Sequence, residues 1–238
     1  REKLGARGVA LQIPLGKEDR FAGVVDLVEM KALVFDDVSK GSVYTTVDIP
    51  ADLRPVAEEY RERLLEVLCD VDDGLMETYL SGEEPAVQAV KTAVKKGTLL
   101  GEITPVMCGS AFKNKGIQPL LDAVVDYLPS PVEIGAVRGK SPDGEEAARN
   151  PRDDEPASAL AFKVMNDPYV GQLTFIRVYS GTLSSGDTIL NANTQKRERV
   201  GRLVRMFADK REEIGRVYAG EIAAVLGLKN TITGHSLC

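Results

Sequence analysis

The spacing of apolar residues changes character once along this chain of 238 residues, and that switch constrains the fold more than any single motif. Leu53, Val56, Ala57, Tyr60, Leu64, Val67 and Leu68 recur at three- and four-residue steps, the spacing that lines one face of a helix. Beyond Ala159 the pattern shortens. Ala159–Val164, Leu173–Tyr179, Thr188–Leu190, Arg199–Met206 and Glu221–Leu226 are brief strand-like runs divided by turns that contain Gly or Asp. Short strands at such intervals build a small β-barrel or sandwich. Residues 132–155 are polar and rich in Gly, Pro and Asp, and read as linker and loop. Two domains follow, divided near Asp153–Pro156, and the chain is long enough for each to bury its own core.

Upstream of that division the reading is mixed α/β. Arg1–Gly5 reads as the tail of a helix that begins before Arg1, with Gly5 as its stop. Val9–Ile13, Phe21–Ala32 and Val43–Val47 have strand-like β-branched content. A helix is predicted from Asp52, its N-cap, with Pro55 in the first turn. Shorter helices are predicted over Asp73–Leu80 and over Pro85–Lys96, the latter stopped by Gly97. Ile103–Cys108 is a compact apolar strand in which Pro105 argues for an edge or a strand start. It wants a parallel neighbour, expected from sequence outside the chain. The helix Ile117–Leu128 follows, predicted to bury Leu120, Leu121, Val124, Val125 and Leu128 and ended by Pro129 and Pro131.

Composition excludes several function classes. Hydrophobic content of 43% and charged content of 28% are ordinary for a globular protein. No apolar run approaches bilayer length, and Arg1–Gly5 lacks the apolar core of a secretory signal, so a cytoplasmic location without a membrane partner is expected. Cys69, Cys108 and Cys238 are far apart and form no Cys-x-x-Cys, which argues against a disulfide framework or structural zinc. Cys108 reads as a small buried hydrophobe. His235 is the single histidine, which excludes two-histidine metal sites, and it reads as a surface turn residue.

The net charge of −6 is unevenly spread. From Asp52 to Glu84 eleven acids oppose three bases, a net −8, whereas from Gln195 to Arg216 eight bases oppose four acids, a net +4. The first segment can attract a basic partner and the second a phosphate backbone, unless both are simply solvated faces. Asp36-Asp37 and Asp72-Asp73 read as solvated turn residues rather than acid–base pairs.

Between the strand Ile103–Cys108 and the helix Ile117–Leu128 lies Gly109-Ser110-Ala111-Phe112-Lys113-Asn114-Lys115-Gly116. Small-residue turns that leave a strand and open a helix are where α/β proteins present backbone N–H groups to a ligand. No Gly-x-x-x-x-Gly-Lys-[Ser/Thr] accompanies it; Gly215–Glu221 has the glycine spacing without the lysine. This turn, with Leu120–Pro131 after it, closely resembles the last motif and closing helix of the GTP-binding domain of elongation factor G. Pro168–Gly171, Arg177–Asp187, Lys210–Ile214 and Gly227–Lys229 resemble that factor's second domain. Ile13–Gly16, Phe21–Leu27 and Met30–Ala32 resemble the insert it carries within its GTP-binding domain. The turn Thr233-Gly234-His235-Ser236 departs from the family pattern, which usually has Asp and Thr after the glycine.

The resemblance implies an internal fragment of a ribosome-binding GTPase that drives translocation of tRNA and mRNA. Residues 1–100 would be the insert, 101–131 the last strand and helix of the GTP-binding domain, 132–155 a linker, and 156–238 the second, β-barrel domain, lacking its last strand. The parent uses GTP/GDP and Mg2+, but the phosphate loop, switches and Asn-Lys-x-Asp motif are not in this sequence, so no catalytic residue, metal ligand or cofactor is expected in the fragment. The carried-over guanine contacts are Ser110, Ala111 and Phe112, with the Ala111 N–H facing the guanine O6. Glu58, Glu62 and Glu66 would meet the basic domain of the ribosomal stalk protein. Lys196, Arg197, Arg199 and Arg202 would contact small-subunit ribosomal RNA. Tolerated alternatives are a stand-alone adaptor that binds RNA and a basic protein, and a paralogue acting in ribosome recycling.

Overall fold

The computed structural model describes residues 5–141, 144–167, 171–207 and 210–238, so the predicted helical tail at Arg1–Leu4 and the motif residues Pro168–Val170 lie outside the described residues. The fold is mixed α/β and divides into two compact units, Arg1–Pro129 and Ser130–Cys238. The division therefore falls about one short helix and one hairpin earlier than the composition shift suggests.

In the first unit a single predicted strand serves two sheets. β1 (Gly8–Ala10) pairs in one sheet and β2 (Gln12–Leu15) in another. At the crossover, the Leu11 N–H donates to the Val106 carbonyl and the Leu11 carbonyl accepts from the Leu27 N–H, both at 2.9 Å. With β3 (Gly23–Asp26), β4 (Lys31–Phe35) and β5 (Tyr44–Val47), β2 forms a four-stranded antiparallel meander. The run Phe21–Ala32, expected as one strand, folds back at Asp26. Its Oδ1 accepts from the Val28 and Glu29 N–H groups at 2.7 and 3.0 Å, and Met30 takes a φ of +51°. An aspartate that binds the backbone two residues on builds such a turn. Burial raises the pKa of Asp26 above the usual carboxylate value.

Three helices cover one face of the meander. α1 (Arg54–Cys69) has Pro55 in its first turn, but Asp52 does not cap it. The Leu53 and Arg54 N–H groups both reach the Pro50 carbonyl at 3.0 Å instead. α2 (Asp73–Leu80) is capped by Asp72, whose Oδ1 accepts from the Leu75 N–H at 3.1 Å and whose Oδ2 meets Lys96 at 3.0 Å, so Asp72 is a cap rather than a free turn residue. α3 (Val87–Leu99) runs straight through Gly97. A Cβ there would lie 2.9 Å from the Ile103 side chain, so the glycine permits close packing and does not stop the helix. Leu27, Leu64, Leu68, Val90 and Val94 are fully enclosed between helices and sheet, each worth about 1.5–3 kcal/mol of burial.

β6 (Thr104–Val106) pairs in parallel with β1, Gly8 opposite Thr104. The parallel neighbour expected from outside the chain is thus within it. α4 (Ile117–Tyr127) corrects a second expectation. It buries Pro119 and Tyr127, while Leu120, Leu121, Val124, Val125 and Leu128 are all exposed. The helix has the amphipathic pattern the sequence predicts, but within this unit it seats only its edge.

The second unit begins with α5 (Pro131–Ile134), closed by a capping box between Ser130 and Glu133. β7 (Val137–Lys140) and β8 (Glu146–Arg149) then form an antiparallel hairpin where the sequence predicts a linker. The remaining strands are β9 (Ser158–Asp167), β10 (Gly171–Ser180), β11 (Leu183–Ser184), β12 (Thr188–Asn191), β13 (Lys196–Arg199), β14 (Leu203–Phe207), β15 (Lys210–Ile214), β16 (Arg216–Val217), β17 (Ile222–Leu226) and β18 (Ser236–Leu237). Eight of them make one sheet in the order β13-β12-β18-β9-β10-β17-β14-β15, and β11 pairs with β16.

This sheet must curl. In a flat sheet β13 and β14 would lie roughly 29 Å apart at about 4.8 Å per strand. Only Val200, Gly201 and Arg202 connect them, a reach of at most about 15 Å. Register shifts between β9 and β10 at Phe175/Ile176 and Val178/Ser180 supply the bends. Inside the curl, Ile176, Val178, Ile189, Leu203, Val217, Val225, Leu228 and Leu237 form the core.

Candidate functional site

The turn between β6 and α4 is held from beneath. The Ser110 N–H donates to the Lys115 carbonyl at 2.9 Å and the Ser110 carbonyl accepts from the Lys115 N–H at 3.0 Å. Asn114 closes the turn at φ +55°, its N–H on the Ala111 carbonyl at 3.0 Å. Lys115 is only 4% exposed, which a lysine tolerates only when paired. Its Nζ meets Asp37 Oδ1 at 2.6 Å and the Phe21 carbonyl at 3.2 Å. Beside the turn Cys108 packs, half-buried, against Val24, Leu33 and Phe35, and burial pushes its thiol pKa up to about 11, the state of an inert thiol.

The upper side of the turn is open. Ser110 is half-buried, whereas Ala111 and Phe112 are exposed. Neither the Ala111 nor the Phe112 N–H meets an acceptor among the described residues. Two free backbone donors on an anchored turn can receive a hydrogen-bond acceptor such as a carbonyl oxygen. No group of three His, Cys, Asp or Glu side chains gathers among the described residues.

Glu58, Glu62 and Glu66 lie one helical turn apart on α1 and are exposed, as their spacing predicts. Arg54 approaches Glu58 at 3.6 Å, leaving Glu62 and Glu66 without an ion-pair partner among the described residues. Tyr79 on α2 lies near both; burial first, then their charges, raises its phenol pKa.

The basic segment is sorted by strand alternation. Lys196, Arg197 and Arg199 sit on β13, an outer strand of the sheet, with Arg202 just beyond. All four are exposed, and none pairs with a carboxylate among the described residues. Of the other cations there, Arg205 is engaged with Glu221 at 3.0 Å and Arg211 with Asp167. Asp209 lies outside the described residues.

Between Arg197 and Arg199, Glu198 turns inward. It is 6% exposed and accepts from the Lys229 N–H (2.6 Å), the Asn230 N–H (2.8 Å) and the Thr231 hydroxyl (2.6 Å). Burial alone would raise its pKa. The bonds from Asn230, Thr231 and Lys229 outweigh that and hold it below the usual carboxylate value. His235 belongs to the same region rather than to the open surface. Its Nδ1 lies 3.0 Å from Asn191 Nδ2, and that amide also donates to Thr231 at 3.0 Å.

Comparison with known proteins bears on these surfaces. The family model for elongation factor G domain 2 matches residues 156–238. Residues 156–238 thus carry an elongation factor G domain 2. A crystal structure of a protein from Thermus thermophilus matches 100% of the chain at a TM-score of 0.76 and 26% identity. The chain spans 32% of that protein's length. The curled sheet with its exposed β13 cations lies within the matched residues, and the open turn lies in the other compact unit. No helix among the described residues is long and apolar enough to cross a membrane.

Proposed function

We propose that this chain is part of a cytoplasmic, GTP-driven elongation factor G that moves tRNA and mRNA through the ribosome. In this reading residues 1–100 are the insert and 101–131 close the GTP-binding domain. The observation that carries it is the strand–turn–helix at Thr104–Tyr127, whose anchored turn leaves the Ala111 N–H free for a guanine O6. Bound GTP would supply the phosphoryl group whose hydrolysis powers movement; this chain's own Ser110, Ala111 and Phe112 would only recognise the base. The open apolar stripe of α4 and the two-stranded parallel pair β1–β6 support the same reading, since parallel sheets normally lie buried within larger α/β layers. Reading the gene upstream of Arg1 tests it. A Gly-x-x-x-x-Gly-Lys-[Ser/Thr] and an Asn-Lys-x-Asp in frame are expected; a start codon just before Arg1 would leave only a stand-alone adaptor.

The exposed charges give this factor its docking chemistry. Glu58, Glu62 and Glu66 steer a basic stalk-protein domain, and Lys196, Arg197, Arg199 and Arg202 rest on RNA phosphates. Phe207 is the lone aromatic near these cations, so phosphate contact rather than base stacking is expected. Changing the three glutamates to lysine should abolish stalk-protein binding in a pull-down. Changing the four cations to glutamine should lower the slope of log affinity for RNA against log salt by about 3. Unaltered binding by both variants would remove the assignment.

A further inference from the structure

We infer that the loop between β4 and β5, residues 36–42, sets the base specificity of the turn above it, with Lys115 and Gln118 as the positioning residues. This rests on the guanine reading of that turn. The loop is a preformed platform. Asp36 Oδ2 accepts from the Ser39 N–H at 2.7 Å, the Gly41 N–H donates to the Asp36 carbonyl at 2.9 Å, and the Asp36 N–H donates to the Val43 carbonyl at 2.9 Å.

Three contacts clamp the turn to this platform. The first is backbone on backbone. Gly41 has φ +74°, and a Cβ there would stand 2.6 Å from the Asn114 carbonyl oxygen and 2.7 Å from that of Lys113. Only glycine lets the two loops approach so closely. The second is Gln118, whose Nε2 donates to the Gly41 and Ser42 carbonyls at 3.1 and 3.0 Å. The third is Lys115, its ammonium held by Asp37 and by the Phe21 carbonyl. Lys115 and Ser110 exchange both backbone hydrogen bonds, so a displaced Lys115 displaces Ser110 directly, and Ala111 is the next residue. The free Ala111 N–H therefore sits where the β4–β5 loop puts it. A hydrogen bond to a purine oxygen weakens steeply with misalignment, so the loop governs the preference for a 6-oxo purine rather than phosphate affinity.

The test uses the complete protein encoded with this chain. It compares affinity for GDP with that for the 5′-diphosphate of 2-aminopurine riboside, which lacks the 6-oxygen. Wild type should prefer GDP. Gly41→Val, Lys115→Met and Gln118→Ala should each shrink that preference by about tenfold, with affinity for the analogue unchanged, and Lys115→Arg should restore most of it. Gln118→Ala removes only a half-buried side chain, so it keeps the test open if the other two fail to fold. Folded variants that keep the full preference would overturn the positioning role while leaving the turn as the base contact. A wild type without any preference would overturn the base contact itself, and the inference with it.

Discussion

Glu198→Ala should cost the second unit on the order of 3–5 kcal/mol, enough to unfold a marginally stable domain. The carboxylate is buried and takes two backbone N–H groups and a hydroxyl from the segment Lys229–Thr231. Alanine leaves these donors without an acceptor, and hydrogen bonds to a charged group are worth about 1.5–3 kcal/mol each before compensation. Urea denaturation followed by circular dichroism measures the loss. A pH arm separates charge from shape. Because the folded pKa lies below the unfolded one, the stabilisation is complete above the unfolded value, about 4.3. It is lost as pH falls through the folded value. Wild type should therefore lose stability below about pH 4.3, and Glu198→Gln should be less stable at neutral pH and show less of this acid slope. A Glu198→Ala variant as stable as wild type would show that the 229–231 segment finds its acceptors elsewhere.

Arg61→Met should destabilise the first unit by about 3 kcal/mol, although methionine keeps most of the aliphatic volume. Arg61 is 6% exposed, and its Nη1 donates to the Leu27 and Val28 carbonyls at 2.8 and 3.2 Å, tying α1 to the β3–β4 turn. Its Nη2 meets Glu84 at 2.9 Å, but the Glu84 side chain is 73% exposed. A pair with one partner in water contributes little, under about 1 kcal/mol. Glu84→Ala should therefore be nearly silent where Arg61→Met is not. Equal losses in the two variants, read from their denaturation midpoints, would assign the stabilisation to the ion pair instead of the carbonyls.

Both residues sit inside segments whose sequence suggests solvated charge. Arg61 lies among the acids of α1, and Glu198 lies among the cations of β13. Charge counts treat every ionisable side chain as exposed. Strand alternation decides that Arg197 and Arg199 point out while Glu198 points in, and that alternation is legible only once the strand boundaries are known. Gly97 shows the reverse error: a glycine that reads as a helix stop is a contact point for Ile103, because the helix is held by packing rather than by propensity. Lys115 offers no local signal at all, since its partners Phe21 and Asp37 are about eighty or more residues away in sequence.

What the sequence determined by itself is what depends on local spacing. The apolar periods of α1 and α4, the short strands beyond Ala159, the small-residue turn at Gly109–Gly116 and the stripe Glu58–Glu62–Glu66 all follow from neighbours within a few residues. Tertiary structure alone decided which faces those elements bury. It left the apolar stripe of α4 open, gave β6 its parallel partner in β1, buried Arg61, Lys115 and Glu198 among their acceptors and donors, and set the β4–β5 loop under the turn. The reason is physical. Secondary-structure pattern is a short-range property of the chain, whereas the burial of a charge is settled by hydrogen-bond partners that only the folded chain brings within reach.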